Sequence, residues 1–152
     1  MPATPCLTDA PAPTVRLVLD TNVVLDWLVF GDAGCDVLGA ALLSGQARWI
    51  ASAAMRDELE HVLTRGTLDA WEPDVPAILR TWSETVSLVA ASSGSARGTP
   101  RCSDPDDQKF IDLAFQCGAS ALLSRDRAVL RCARRARPLG LAILTPMAWA
   151  QR

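Results

Sequence analysis

Short apolar runs alternate with stretches of helical spacing along most of the chain. The run VRLVL at residues 15–19 has the composition of a buried parallel strand, and NVVLDWLVFG then shifts to the spacing of an amphipathic helix ending at Gly31. Further strands are predicted at residues 47–52, 86–90, 120–124 and 141–145. This alternation favours an α/β domain with a small, mainly parallel sheet flanked by helices on both faces.

The rest of the pattern divides the chain into a tail and one domain. Residues 1–14 carry four prolines and no periodicity, which predicts a disordered tail. Residues 15–150 form a single predicted domain, with a loop rich in Ser, Gly and Pro at 91–103. Further helices are predicted at residues 35–45, 53–65, 74–86, 105–117 and 127–137.

Composition narrows the class of protein. Apolar residues make up 49% of the chain, but none of the runs approaches the roughly 18 residues of a membrane span. The five cysteines form no CxxC pair and are odd in number, which suits reduced thiols. We therefore expect a soluble cytoplasmic protein with no membrane partner.

Acidic residues fall where ligands bind in such folds, outside the carboxyl ends of the strands. Asp20 directly follows the first strand, and Asp126 comes two residues after ALLS. Asp104 and Asp107 begin the helix before that strand, and a right-handed crossover brings their loop to the same edge. Glu58 lies two turns into the helix after the second strand. Five acids from four segments can therefore converge.

Each acid also has a purely structural interpretation. SDPDD at residues 103–107 is a good helix start, and Asp126 can cap the helix that follows it. Glu58 and Glu60 suit a solvated helix face. Asp20 is harder to explain this way, because an acid at the end of an apolar strand is partly buried and needs a partner.

The acids taken together favour a metal site. Carboxylates held close together repel, so a fold that keeps them needs protons or cations to offset the charge. The single histidine, His61, lies within a helical pattern, and an oxygen-only donor set suits Mg²⁺ or Mn²⁺ better than zinc. Hydrolysis of a phosphodiester is the chemistry that uses such a site.

Four motifs in order resemble the PIN-domain family. They are LVLDTNVVLDWL, MRDELEHVL, DPDDQKFIDLA and LLSRDRAVL, and LTPMAW near the end extends the similarity over residues 15–150. The closest resemblance is to the branch of toxin components of toxin–antitoxin systems, related to the VapC-type toxins. This resemblance implies a PIN-like domain, an endoribonuclease dependent on Mg²⁺ or Mn²⁺, and an RNA substrate.

The resemblance also implies roles for individual residues. The catalytic acids would be Asp20, Glu58, Asp104, Asp107 and Asp126. All of these except Glu58 would be metal ligands, and Asp106 would face solvent. Asn22 and Ser124 match polar positions that orient the acids, although a cap or turn hydrogen bond explains each equally well.

Partners are less directly indicated. Six of the fourteen arginines lie between residues 125 and 137, which suits either a solvated helix face or a phosphate-binding surface. The second interpretation assigns the RNA backbone to Arg125, Arg127, Arg131 and Arg134. The resemblance adds a cognate antitoxin, which could insert an arginine among the carboxylates. It also adds a homodimer, to which Trp27, Trp71 and Trp82 could contribute, although burial in the core is the expected role of these tryptophans.

Other classes of protein remain open at this stage. A PIN scaffold that binds RNA or protein without catalysis is one, although the intact acid set disfavours it. A phosphatase related to the haloacid dehalogenases expects a second aspartate where Asn22 stands. A dinucleotide-binding domain is disfavoured, because no glycine-rich turn follows the first strand.

Overall fold

The computed structural model describes residues 14–92 and 98–152. Apart from Thr14, the predicted disordered tail lies outside the described residues, as does the middle of the loop predicted at 91–103. The strands are β1 (Val15–Leu19), β2 (Ala47–Ala51), β3 (Val86–Leu88), β4 (Ala121–Leu123) and β5 (Ala142–Leu144). The helices are α1 (Thr21–Leu28), α2 (Asp36–Ser44), α3 (Ala53–Thr64), α4 (Val75–Thr85), α5 (Gln108–Gln116), α6 (Arg127–Leu130), α7 (Ala133–Ala136) and α8 (Pro146–Ala150).

All five strands belong to one parallel sheet in the order β3-β2-β1-β4-β5. The α/β prediction is therefore confirmed, and the sheet is entirely parallel. β1 lies at its centre, where Leu17, Val18 and Leu19 are almost completely buried. Burial on both faces of the sheet explains why these three consecutive positions are all apolar. Within the described ranges, no helix is long and apolar enough to cross a membrane.

Two predicted helix boundaries are wrong. The helix expected to run to Gly31 ends at Leu28, and Gly31 follows with a φ of +60°, a conformation that glycine adopts readily. The single helix expected at 127–137 is instead α6, α7 and a 3₁₀ turn, Arg137–Leu139. The amide of Cys132 bonds the carbonyl of Val129, only three residues back, and this tighter turn separates α6 from α7.

A tryptophan cluster packs one side of the sheet. The buried ring of Trp49 on β2 contacts Trp27 and Trp82 edge to face, with centroids 6.0 and 6.2 Å away. Trp71 is 55% exposed and packs on Phe30, so core burial was the wrong expectation for this residue. It lies in a 3₁₀ turn, Asp69–Trp71, that has no buried residue.

This packing makes Gly39 on α2 sensitive to substitution. A Cβ at Gly39 would lie 2.4 Å from Nε1 of Trp27, whose ring is held against Trp49. We expect Gly39→Ala to destabilise the protein by about 1–3 kcal/mol, because overpacking outweighs the gain in helix propensity of about 1 kcal/mol. Thermal or urea unfolding measures this. Val37→Ala, at an exposed position on the same helix, should be nearly neutral. A rise in melting temperature for Gly39→Ala would contradict the packing.

Candidate active site

The strand order creates a topological switch point between β1 and β4. The chain passes from β1 to β2 on one side, then crosses from β3 to β4 on the other side of β1. Connections leave in opposite directions there, and the resulting crevice at the carboxyl ends of the strands is the usual ligand site of an open α/β sheet. Asp20 follows β1 and Ser124 follows β4 at this point. The amide of Asp20 bonds the carbonyl of Leu123, which ties the two loops together.

Asp20 is the most buried acid of the site, with 3% exposure. Its Oδ1 accepts the backbone N–H of Asn22 at 3.0 Å, and its Oδ2 accepts the hydroxyl of Ser124 at 2.7 Å. Burial raises the pKa of Asp20; these two hydrogen bonds oppose the rise, and the carboxylates of Asp126 and Glu58 add to it. The Asp20 carboxylate is therefore fixed in orientation but electrostatically costly.

Ser124 connects two of the acids. It is completely buried, and its Oγ donates to Asp20 while accepting the backbone N–H of Asp126 at 3.0 Å. Asp126 in turn caps α6, because its Oδ1 accepts the N–H of Ala128 at 2.7 Å. Asn22 contributes its backbone amide, while its side chain is exposed. Of the two supporting positions, Ser124 thus orients an acid through its side chain, and Asn22 forms the turn hydrogen bond.

Asp104 precedes a 3₁₀ turn, Pro105–Asp107, and Asp107 is the last residue of that turn, directly before α5. The exposed Asp104 caps this turn, with its Oδ1 accepting the N–H of Asp106 at 3.0 Å. Asp107 is partly buried, and no described residue donates a hydrogen bond to its carboxylate. Asp106 is exposed, in line with its predicted position facing solvent.

The pKa of Asp107 is raised well above the ordinary value of an aspartate. Burial raises its pKa to about 7, the carboxylates of Asp20, Asp126 and Asp104 add to the rise, and Lys109 opposes it. The residues that raise this pKa show that loops distant in sequence bring their charges together. An acid with no hydrogen-bond donor among like charges is stabilised either by a proton or by a cation.

Glu58 is held by two residues for which the sequence motifs predicted no role in the site. Its Oε2 accepts a hydrogen bond from the hydroxyl of Thr21, and its Oε1 lies 2.5 Å from Nζ of Lys109. Thr21 stands between two singled-out residues in DTN, and Lys109 is the chain's only lysine, directly after the acid-rich turn. These positions in the sequence were the signals that could have pointed to the two residues. The contacts themselves span 37 and 51 positions in sequence.

The type of ligand atom in the site suits a hard divalent cation, but the side chains are not arranged around a common point. Across residues 14–92 and 98–152, no three acidic, histidine or cysteine side chains are arranged to hold one metal ion. The electrostatic coupling among the five acids extends over longer distances than direct metal bonds. The coupling is therefore compatible with the absence of a formed three-ligand arrangement. The atoms available as metal ligands are all oxygens, and the carboxylate of Asp107 has no hydrogen-bond donor. Such a set suits Mg²⁺ or Mn²⁺ provided the side chains draw closer around the ion.

The four arginines predicted to contact RNA differ in their surroundings. Nη1 of Arg125 lies 2.9 Å from Oδ2 of Asp26 and 2.7 Å from Oδ2 of Asp32, so this arginine ties the β4–α6 loop to the segment around α1. Asp32 has a lowered pKa because of the backbone N–H of Gly34 and then the Arg125 guanidinium. The other three are exposed, and within the described part of the chain no carboxylate pairs with them: Arg127, Arg131 and Arg134.

The protein is thus a parallel α/β domain with a carboxylate-rich crevice at its topological switch point. Comparison with known protein families shows which family within this class the chain resembles. The PIN domain model matches residues 16–128, and the chain belongs to this family. PIN domains are in general nucleases that act on RNA or DNA with divalent metal ions. A comparison with curated proteins found no match.

The pKa of Asp107 predicts how metal-free stability depends on pH. A carboxyl group whose pKa rises from 3.8 to about 7 on folding contributes stability below the lower value, and that contribution is lost as the pH rises through 7. In EDTA, Asp107→Asn should therefore be more stable than the wild type at pH 8 and about equal to it at pH 4. Melting temperatures across this range test the expectation. Asp57→Asn, at an exposed site on α3, should show no such pH-dependent difference.

Proposed function

We propose that the protein is an endoribonuclease dependent on Mg²⁺ or Mn²⁺ and is the toxin component of a toxin–antitoxin pair. The observation that carries the nuclease proposal is Asp107, a partly buried carboxylate with no hydrogen-bond donor beside the buried Asp20 at the switch point. Membership of the PIN domain family supports the general activity. The resemblance of the four sequence motifs to toxins of the VapC type supports the RNA substrate, the choice of metal and the toxin role.

The acids divide into ligands and neighbours. Asp20, Asp107 and Asp126 are the proposed principal ligands of the ion, and Asp104 is the fourth. A bound ion would activate water, neutralise phosphate oxygens and stabilise the leaving alkoxide. Glu58 belongs to the same catalytic set, through its electrostatic coupling to Asp20.

The protein's own residues prepare the site. Ser124 holds one oxygen of Asp20 and the amide of Asp126, so a single hydroxyl fixes the relative position of two acids. Removal of solvent around Asp20 strengthens its attraction for a cation. Hydrolysis at this site would leave a 5′-phosphate and a 3′-hydroxyl.

The RNA backbone needs positive charge beyond the acidic crevice. Arg127, Arg131 and Arg134 are exposed just after Asp126 and are the proposed phosphate contacts. Arg125 belongs to the same proposed surface, but its ion pairs with Asp26 and Asp32 would compete with a phosphate. Binding through such contacts would weaken as salt rises.

The toxin role adds a regulatory partner. An antitoxin segment that places an arginine among the carboxylates would supply the charge that Asp107 lacks and would block access to the crevice. Such a toxin would act on cytoplasmic RNA. A homodimer also belongs to this proposal.

A non-catalytic PIN scaffold that binds RNA or protein is the second candidate. One observation favours it: no three potential ligands among the described residues are close enough to hold an ion as they stand. The raised pKa of Asp107 favours the nuclease, because a binding module has no need to retain such a costly carboxylate.

Cleavage of a panel of structured and unstructured RNAs, with single-stranded DNA beside them, tests the activity. We expect RNA cleavage with Mg²⁺ or Mn²⁺, no cleavage in EDTA, and a loss of about a hundredfold or more in Asp20→Asn. Asparagine keeps the Oδ1 acceptor of this cap, so the fold should survive. Asp57→Asn is the charge-matched control and should retain activity. Cleavage that persists in EDTA and in Asp20→Asn would sink the proposal, and RNA binding without cleavage would favour the binding module.

Calorimetric titration with Mn²⁺ tests the ligand assignment separately from catalysis. Asp107→Asn should weaken binding by at least about tenfold, because it removes a negative oxygen ligand. The same titration of Asp57→Asn should match the wild type. Equal affinities for the wild type and Asp107→Asn would remove Asp107 from the site.

A further inference from the structure

The chain's only lysine lies within the acid site. Fourteen of its fifteen basic residues are arginines, and Lys109 is the exception. Nζ of Lys109 lies 2.5 Å from Oε1 of Glu58 and donates to the backbone carbonyl of Asp106 at 2.6 Å. The ammonium group also lies 4.9 Å from the ring centroid of Phe110. Contacts from α3 and from its own helix therefore fix a side chain that is normally mobile.

Lys109 is the cation that pairs with this acid site. The remaining ion pairs of the described residues join Arg56 to Glu60 and Arg125 to Asp26 and Asp32, all outside the five acids. The pair of Lys109 with Glu58 is about two-thirds buried, with side-chain exposures of 31% and 33%. Water therefore screens it less than a fully exposed pair.

Glu58 and Asp107 therefore differ in whether their carboxylate oxygens already have partners. Both oxygens of Glu58 are occupied, one by the hydroxyl of Thr21 and the other by the ammonium of Lys109. Asp107 has no hydrogen-bond donor among the described residues. A divalent ion entering the crevice thus meets an available carboxylate at Asp107 and a compensated one at Glu58.

We propose that Lys109 takes the place of a second divalent ion, holding Glu58 so that the site binds one Mg²⁺ or Mn²⁺ at Asp20, Asp107 and Asp126. This inference rests on the proposed function and specifies its metal stoichiometry. A lysine ammonium suits the role, since it is a compact point charge that one carboxylate oxygen can bind closely. Lys109 is in these terms a positioning residue, acting through Glu58.

Removing the charge of Lys109 should create a second ion site. In Lys109→Met the side chain keeps a similar length, but Glu58 loses its cation and becomes a partly buried, uncompensated carboxylate. We expect one Mn²⁺ per chain for the wild type and two for Lys109→Met, counted by calorimetry and by electron paramagnetic resonance of unbound Mn²⁺. Glu58→Gln combined with Lys109→Met should return the count to one.

Three further variants guard against general effects of charge or folding. Lys109→Arg keeps the cation and should bind one ion. Arg131→Met removes an exposed positive charge elsewhere and should also bind one. Glu58→Gln alone should still bind one ion, because Glu58 is not one of its ligands, and this tests the assignment even where Lys109→Met does not fold.

The outcomes separate this inference from the proposed function. Two ions in the wild type, one ion in Lys109→Met, or no ion in Glu58→Gln would overturn the role of Lys109 while leaving a metal-dependent nuclease in place. A wild-type protein that binds no Mn²⁺ would overturn both.

Discussion

Repulsion among carboxylates at the carboxyl edge of the sheet is the constraint on which the site depends. Asp20 directly follows the central strand, and the connections around β1 and β4 bring further acids to the same crevice. Their charges raise the pKa of Asp107 to about 7, after the larger effect of burial. The fold tolerates this cost because neighbouring donors offset part of it: the hydroxyl of Ser124 at Asp20, and Lys109 with Thr21 at Glu58.

Capping and metal binding are compatible uses of the same side chains. Asp20, Asp104 and Asp126 each accept a backbone N–H through one oxygen, which fixes the rotamer of the carboxylate. Among the described residues, none donates a hydrogen bond to the second oxygen of Asp104 or Asp126. The structural interpretation of these acids therefore explains how they are held in place, and the like charges around them point to what they could bind.

Basic residues near the site have separate roles that composition cannot distinguish. Arg125 is fixed by Asp26 and Asp32 and joins two loops, whereas Lys109 compensates Glu58 within the crevice. The exposed arginines after Asp126 have no carboxylate partner within the described residues. The run of arginines thus contains one residue that is paired with two aspartates and others that are exposed.

Local pattern was sufficient for the α/β class, the parallel sheet and the PIN domain family, because strand burial and helix spacing are written in neighbouring residues. The predicted ends of strands also indicated that Asp20 and Asp126 lie at the same edge of the sheet. Tertiary structure alone decided the partners of those acids: Ser124 meets Asp20 across 104 positions, and Thr21 meets Glu58 across 37. The exposure of Trp71, which packs on Phe30, also follows from the tertiary structure. These features depend on contacts between distant segments, whose geometry and electrostatics no local window of sequence contains.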